Sequence, residues 1–230
     1  MLLIFVVFLV LSLLVSWRFK SKVNKYSQIG LIKDYSGAEI AEKMLADNGI
    51  YDVKVITTEG QLSDHYNPLD KTVNLSRDVY YGRNVSAAAV AAHECGHAVQ
   101  HATAYPYLKF RSAMVPVQNA SAKVMNIIIM VMMFGGYFLF KSQMSVSIVV
   151  ITLVACQSII TLFALITLPV EFDASNRGLA WLTNKGIVVA DEENMAKDAL
   201  KWAAMTYVVA ALSAVATLLY YIMMLVGRRD

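Results

Sequence analysis

The hydrophobic positions of this chain follow two regimes. Some stretches are apolar without interruption, and the segments between them show helix or strand spacing. Residues 1–17 (MLLIFVVFLVLSLLVSW), 124–140 (VMNIIIMVMMFGGYFLF) and 146–170 (VSIVVITLVACQSIITLFALITLPV) carry no charge, and a fourth apolar run extends from about Ala203 to Gly227. Crossing ~30 Å of hydrocarbon takes about 20 apolar residues, with a range of about 17–25. Each run therefore predicts a transmembrane helix. The first has neither the basic n-region nor the A-x-A-like cleavage site of a signal peptide, which predicts an uncleaved anchor. The Arg228–Arg229 pair beyond the fourth run leaves a re-entrant or interfacial course open for that helix.

Between the runs the pattern changes. In residues 26–123, Ser36 followed by Glu39 forms a capping box, with Tyr35 and Ile40 as the hydrophobic staple. This predicts a helix from about Gly37 to Asn48, stopped at Gly49. Residues 52–57 (DVKVIT) and 71–76 (KTVNLS) alternate polar and apolar, as strands do. They are joined by the turn-rich SDHYNPLD with Asn67–Pro68. A small two- or three-stranded sheet follows, and 71–76 is a candidate edge strand for pairing an extended peptide. The stretch 86–104 is Ala-rich, which favours helix. Ser86 is its expected N-cap and Pro106 marks its end. Three histidines and a glutamate make this stretch too costly for lipid contact, so it belongs to the polar part.

Charge orients the whole. Arg18, Lys20, Lys22 and Lys25 follow the first run directly, which places that end in the cytoplasm by the positive-inside rule. Segments 18–123 and 171–202 then share the cytoplasmic side, and together they hold 17 of the 20 Lys and Arg. Composition agrees with a lipid-embedded chain. It is 57% hydrophobic and 16% charged, against about 45–50% and about 25% for a typical soluble domain. The formal charge of +3 is too balanced to indicate nucleic acid. Cys95 and Cys156 are the two cysteines and imply no disulfide, only small apolar fillers. The Met-rich stretch Met130–Met133 reads as lipid or helix contact.

Chemistry is concentrated in His93-Glu94-Cys95-Gly96-His97, an H-E-x-x-H motif on the predicted helix 86–104. Residues four apart share a helix face, so both imidazoles can reach one metal at ~2.0–2.1 Å. Glu94 is turned about 100° away, beside the metal, where it can take a proton from water. Packing histidines on an Ala-rich helix are the alternative. A chance H-E-x-x-H in a chain this long is expected on the order of one per cent of the time or less, and here the motif has the helix it needs. A catalytic zinc needs a third protein ligand. His101 lies eight residues from His93, ~12 Å along a helix axis, so both cannot bind one ion on an unbroken helix. Glu171 follows the third apolar run on the same predicted side as the histidines. A plain carboxylate at a helix start remains the alternative reading of it.

The pair AAHECGHAVQH and PVEFDASNRGLAWL, the segment SDHYNP…VNLS and the four-run layout resemble the neutral zinc metallopeptidase family of membrane proteins, often labelled YugP-like. The resemblance covers essentially the whole chain. It implies a zinc-dependent membrane endopeptidase of the gluzincin type, with His93, His97 and Glu171 as zinc ligands and Glu94 as catalytic base. The implied fold is a mainly α membrane protein of about four transmembrane helices with a small α+β gluzincin-like domain. The site also resembles that of HtpX-like membrane proteases, in which an Asp four residues after the third ligand braces a histidine. Ser175 occupies that place here, with Asp173 or Asn176 as substitutes. Zinc histidines donate their other N–H to a nearby acceptor, which also makes Asp173 a candidate. Arg177 faces the site if 171–180 is helical. His65 and Tyr66 precede a turn and are candidates for stabilising an oxyanion.

The expected function is hydrolysis of membrane-proximal or unfolded protein segments by a metal-activated water. The expected partners are a protein or peptide substrate, the lipid bilayer and Zn2+, with a membrane adaptor protein left open. A non-catalytic membrane adaptor with a structural zinc is the rival reading. It is weak because structural zinc favours four ligands rich in cysteine, and Cys95 alone is near. A protease with its motif inside a transmembrane helix ranks lower still, since 84–105 lacks the apolar density.

Overall fold

The computed structural model describes residues 2–139 and 143–227, with the backbone alone at 135–139 and 143–145. Met1, the end of the second predicted span at Phe140, Lys141 and the Arg228–Arg229 pair lie outside the described residues. The elements run α1 (Leu2–Ser27), α2 (Gly37–Asp47), β1 (Lys54–Thr58), β2 (His65–Asn67), β3 (Thr72–Ser76), α3 (Arg77–Tyr80), α4 (Val85–Ala102), α5 (Pro106–Leu139), α6 (Gln143–Asn184) and α7 (Ala190–Val226). The protein is mainly helical, with one small mixed sheet. The chain forms two compact units, one of residues 1–12, 110–168 and 207–230, the other of residues 13–109 and 169–206.

The first unit contains most of the apolar runs. The helices α1, α5, α6 and α7 are each long and apolar enough to cross a membrane. They are barely covered by protein: 6% of the apolar window of α1 is buried. Side chains such as Phe5, Met133 and Phe134 are exposed, a state that water penalises and lipid does not. Two buried polar side chains of this unit find their acceptor within it, as hydrocarbon requires. Gln157 Nε2 and Thr161 Oγ1 both donate to the Ala214 carbonyl, each at 3.1 Å.

The second unit has a conventional core. It is built from Ile40, Met44, Val73, Leu75, Val85, Leu182 and the alanines of α4. The capping box forms as the sequence predicts: Ser36 Oγ accepts from the Glu39 amide and Glu39 Oε2 accepts from the Ser36 amide. Ile40 is buried, and Tyr35 packs against the same core. The expected cap of α4 needs correction. Asn84, not Ser86, is the N-cap, with Oδ1 accepting from the Ala87 amide at 2.9 Å. The Gly30–Asn84 bridge and the Val85 amide bond to Ile29 pull the chain into helix two residues early. Pro106 opens α5, and α4 has already stopped at Ala102.

The sheet order is β1-β3-β2. β3 pairs parallel with β1 and antiparallel with β2. The expectation that 71–76 is an edge strand is therefore overturned: β3 is the central strand, and β1 and β2 are the edges. The cause is β2, three residues inside the turn-rich connection. There, Asn67 Oδ1 accepts from the Leu69 and Asp70 amides and folds the chain back onto β3.

Replacing Ser36 by Ala should cost about 1 kcal/mol of stability, since it strands the Glu39 amide. The backbone bond from Ser36 holds the Glu39 carboxyl below its usual range. Its contribution is thus full above the unfolded value and fades as pH falls through the folded one. Thermal melts of wild type and Glu39→Ala should differ at pH 7 and converge as the pH falls through the lowered value of Glu39.

Candidate metal centre

The site grows from two helices held unusually close. Gly96, inside the H-E-x-x-H motif, faces the backbone of α6: a Cβ there would lie 2.4 Å from the Ala174 carbonyl oxygen. Gly178 reciprocates, since a Cβ on it would lie 2.7 Å from the Ala92 carbonyl oxygen. No Cβ is tolerated at either distance, so the two glycines set the crossing of α4 and α6. A glycine within an Ala-rich helix costs about 1 kcal/mol relative to alanine, and this contact is what that cost secures.

The crossing brings three ligand atoms together. His93 Nε2 is 3.4 Å and His97 Nε2 is 3.5 Å from Glu171 Oε2. His93, His97 and Glu171 each offer one ligand atom, all within 4.8 Å of one another. A tetrahedral ion with arms of ~2.0–2.2 Å has its ligand atoms about 3.3–3.5 Å apart. The Glu171–imidazole separations match that edge, and two imidazoles with one carboxylate are a donor set that suits zinc. Glu171 is 3% exposed and His97 9%, so the cluster is shielded from bulk water. Burial disfavours charge on His97, but Glu171 beside it outweighs this and raises the imidazole pKa. Among the described residues this is the group of His, Cys, Asp and Glu side chains able to hold a metal ion.

Each histidine uses its other ring nitrogen. His93 Nδ1 lies 3.0 Å from Ser175 Oγ. Ser175 thus keeps the bracing position that the sequence left between it, Asp173 and Asn176. His97 Nδ1 lies 3.0 Å from Oε1 of Gln100, a fully buried residue. Gln100 Nε2 donates to the Val170 carbonyl and to Asp173 Oδ2, both at 2.8 Å. Asp173 therefore sits one bond further out, and Arg177 Nε donates to it at 2.5 Å. Arg177 also lies over the Tyr105 ring, 5.6 Å from its centroid. Gln100 escaped the sequence reading. Its signal was available: His97 and Gln100 are three apart on one helix face.

The remaining candidates fall elsewhere. Glu94 is 8% exposed and adjoins His93 in the chain. Tyr66 hydroxyl lies 2.7 Å from Nδ1 of His101, tying β2 to the last turn of α4. His65 Nδ1 bonds the Ser63 carbonyl and its side chain is exposed. Cys95 points away from the cluster, its thiol donating to the Ala41 carbonyl, and burial pushes that thiol up out of reactivity. Both cysteines are free.

A pair of histidines four apart on one helix, completed by a glutamate from a second, is the arrangement of a zinc metallopeptidase. The comparisons agree. The chain matches the model of a family described as "Putative neutral zinc metallopeptidase" over residues 1–226, and it belongs to that family. It is 39% identical over 220 residues to the "Putative membrane protease YugP" of Bacillus subtilis (strain 168), covering 96% of this chain and 94% of that protein. No solved structure matches it. Zinc is the cofactor of the family, and the cluster of His93, His97 and Glu171 is suited to hold it.

Gly96→Ala should force α4 and α6 apart. An overpacked contact of this kind costs typically about 1–3 kcal/mol. Purified Gly96→Ala should melt earlier and hold less zinc per chain than wild type. Unchanged zinc content would show that the crossing does not set the ligand geometry.

Proposed function

We propose that this protein is a membrane-anchored zinc endopeptidase of the gluzincin type. The observation that carries the reading is the convergence of His93, His97 and Glu171 at tetrahedral-edge spacing, with Glu94 next to the first of them. In this reading the three side chains hold the ion and Glu94 is the general base. Zinc, when bound, polarises a peptide carbonyl and makes water nucleophilic near neutral pH. Glu94 takes the proton from the attacking water and delivers it to the leaving amine. Ser175 and Gln100 hold the two imidazoles, and Asp173 and Arg177 support Gln100. Tyr66 is the oxyanion candidate, presented beside α4 by its bond to His101.

The substrates we infer are unfolded or membrane-proximal protein segments. Glu171 follows directly on the uncharged run 146–170, so the ligand lies next in the chain to a membrane-crossing stretch. The catalytic face is assigned to the cytoplasm on the distribution of Lys and Arg. The rival reading, a non-catalytic adaptor with structural zinc, has less support. Structural sites close with four protein ligands, usually including cysteines, whereas Cys95 bonds Ala41 instead. A motif buried in the bilayer is also disfavoured, because α4 is not among the helices apolar enough to cross a membrane.

Two experiments test the reading. In detergent, wild type should cleave an unfolded protein substrate. Glu94→Gln should lose at least about 100-fold in rate, at the lower end of what a general base contributes, while keeping its zinc. Glu171→Ala should lose most of its zinc. Equal cleavage by wild type and Glu94→Gln would sink the proposal. For the topology, a single cysteine introduced at the exposed Glu59 should react with an impermeant thiol reagent in inverted vesicles and resist it in intact cells. The reverse result would move the site to the opposite face.

A further inference from the structure

The bonds around Gln100 carry more than packing. Its amide nitrogen faces the Val170 carbonyl and Asp173 Oδ2, both at 2.8 Å. A carbonyl can only accept, and the Asp173 oxygen already accepts from Arg177 Nε. The amide nitrogen must therefore be the group turned toward them, which leaves one orientation for the amide. Its oxygen then faces His97 Nδ1 at 3.0 Å and can only accept there. The hydrogen of a neutral His97 must sit on Nδ1, and its lone pair must sit on Nε2, the atom 3.5 Å from Glu171 Oε2.

We propose that Gln100 is a positioning residue for metal binding: its amide, locked by Val170 and Asp173, fixes His97 as the Nδ1–H tautomer and aims the Nε2 lone pair at the ion. This rests on the zinc reading given above. The lock has two parts of unequal strength. Val170 O belongs to the backbone of α6 and cannot turn away. Asp173 is held by Arg177, which is itself stacked on Tyr105. A carboxylate at position 100 could accept from His97 equally well, but it could not donate to Val170 and would face Asp173 with like charge. An amide is the side chain that meets all three neighbours at once.

The test uses the full chain in detergent and the metal alone. Zinc affinity by chelator competition, the visible spectrum of the Co2+-substituted protein and the melting temperature of the metal-free protein are measured for each variant. Gln100→Met keeps the side-chain length and removes every bond. It should weaken zinc binding about 10–100-fold, the loss typical for partners of metal-bound histidines, and should alter the cobalt spectrum. Asp173→Ala removes one acceptor of the Gln100 amide, leaves Val170 in place and should weaken zinc severalfold only. A Gln100→Met protein that binds zinc as wild type does, with an unchanged cobalt spectrum, overturns the proposal however much its metal-free melting point falls. Should that variant not fold, Gln100→Glu decides: it keeps an acceptor for His97 but cannot donate to Val170 or Asp173, and unchanged zinc affinity with an unchanged cobalt spectrum there overturns the lock. A wild type that binds no zinc, with His97→Ala behaving identically, would overturn the metal reading itself along with this inference.

Discussion

The close crossing of α4 and α6 is the constraint on which the site depends. Gly96 and Gly178 each rest against the other helix's backbone, where any Cβ would clash. Helices normally pack with axes 8–10 Å apart, set by the side chains between them. Removing the side chain on both partners allows a closer approach, and close approach is what a short carboxylate needs. Glu171 has four bonds from Cα to its carboxylate oxygen, and it must reach two imidazoles on the other helix. The backbones that the two glycines meet include those of Ala174 and Ala92, both buried and both small. Size selection along this seam and ligand spacing within the motif are two sides of one arrangement.

A seam of small residues would suit apolar packing, yet four polar side chains are buried along it: Glu94, His97, Gln100 and Glu171. Burying such groups costs free energy unless they are hydrogen-bonded or paired. Here satisfaction is layered. The imidazoles turn one nitrogen toward Glu171 and the other toward Ser175 or Gln100, and Gln100 passes the chain to Asp173 and Arg177 at the partly exposed rim. The hydrophobic core of the second unit is built mainly from alanine, valine, leucine, isoleucine and methionine. A local departure from apolar packing, supported by an ordered polar shell, is where a functional site is expected.

Much of this was legible in the sequence, for identifiable reasons. The capping box at Ser36 and Glu39 is a local motif whose partners are three residues apart, so the chain alone decides it. The apolar runs are decided by composition, and the H-E-x-x-H spacing by helical geometry. What escaped depends on residues distant in the chain. β3 became a central strand because three residues of a turn-rich connector paired with it, and periodicity over three residues carries no signal. Asn84 displaced Ser86 as the cap because the Ile29–Gly30 segment bonds the start of α4. Gln100 and Gly96 lay within view in HECGHAVQ, but their roles are defined by Val170, Asp173 and Ala174, about 70 residues further on by sequence numbering. Ser175 stands where the resemblance calls for an acid. A hydroxyl at 3.0 Å from His93 fills that place.

Charge explains why a hydroxyl and an amide suffice as braces. Two neutral imidazoles and one carboxylate around a divalent ion leave a net charge of +1, and an ionised Glu94 beside them brings the buried cluster to zero. A carboxylate behind each histidine would make it strongly negative in a shielded space, where like charges interact far more than in water. The acid in the shell, Asp173, is kept one amide away from His97 and is matched by Arg177 at its own side chain. The amide of Gln100 thus transmits orientation without transmitting charge. Ser175 and Gln100 are the side chains that brace the imidazoles without adding charge to the cluster.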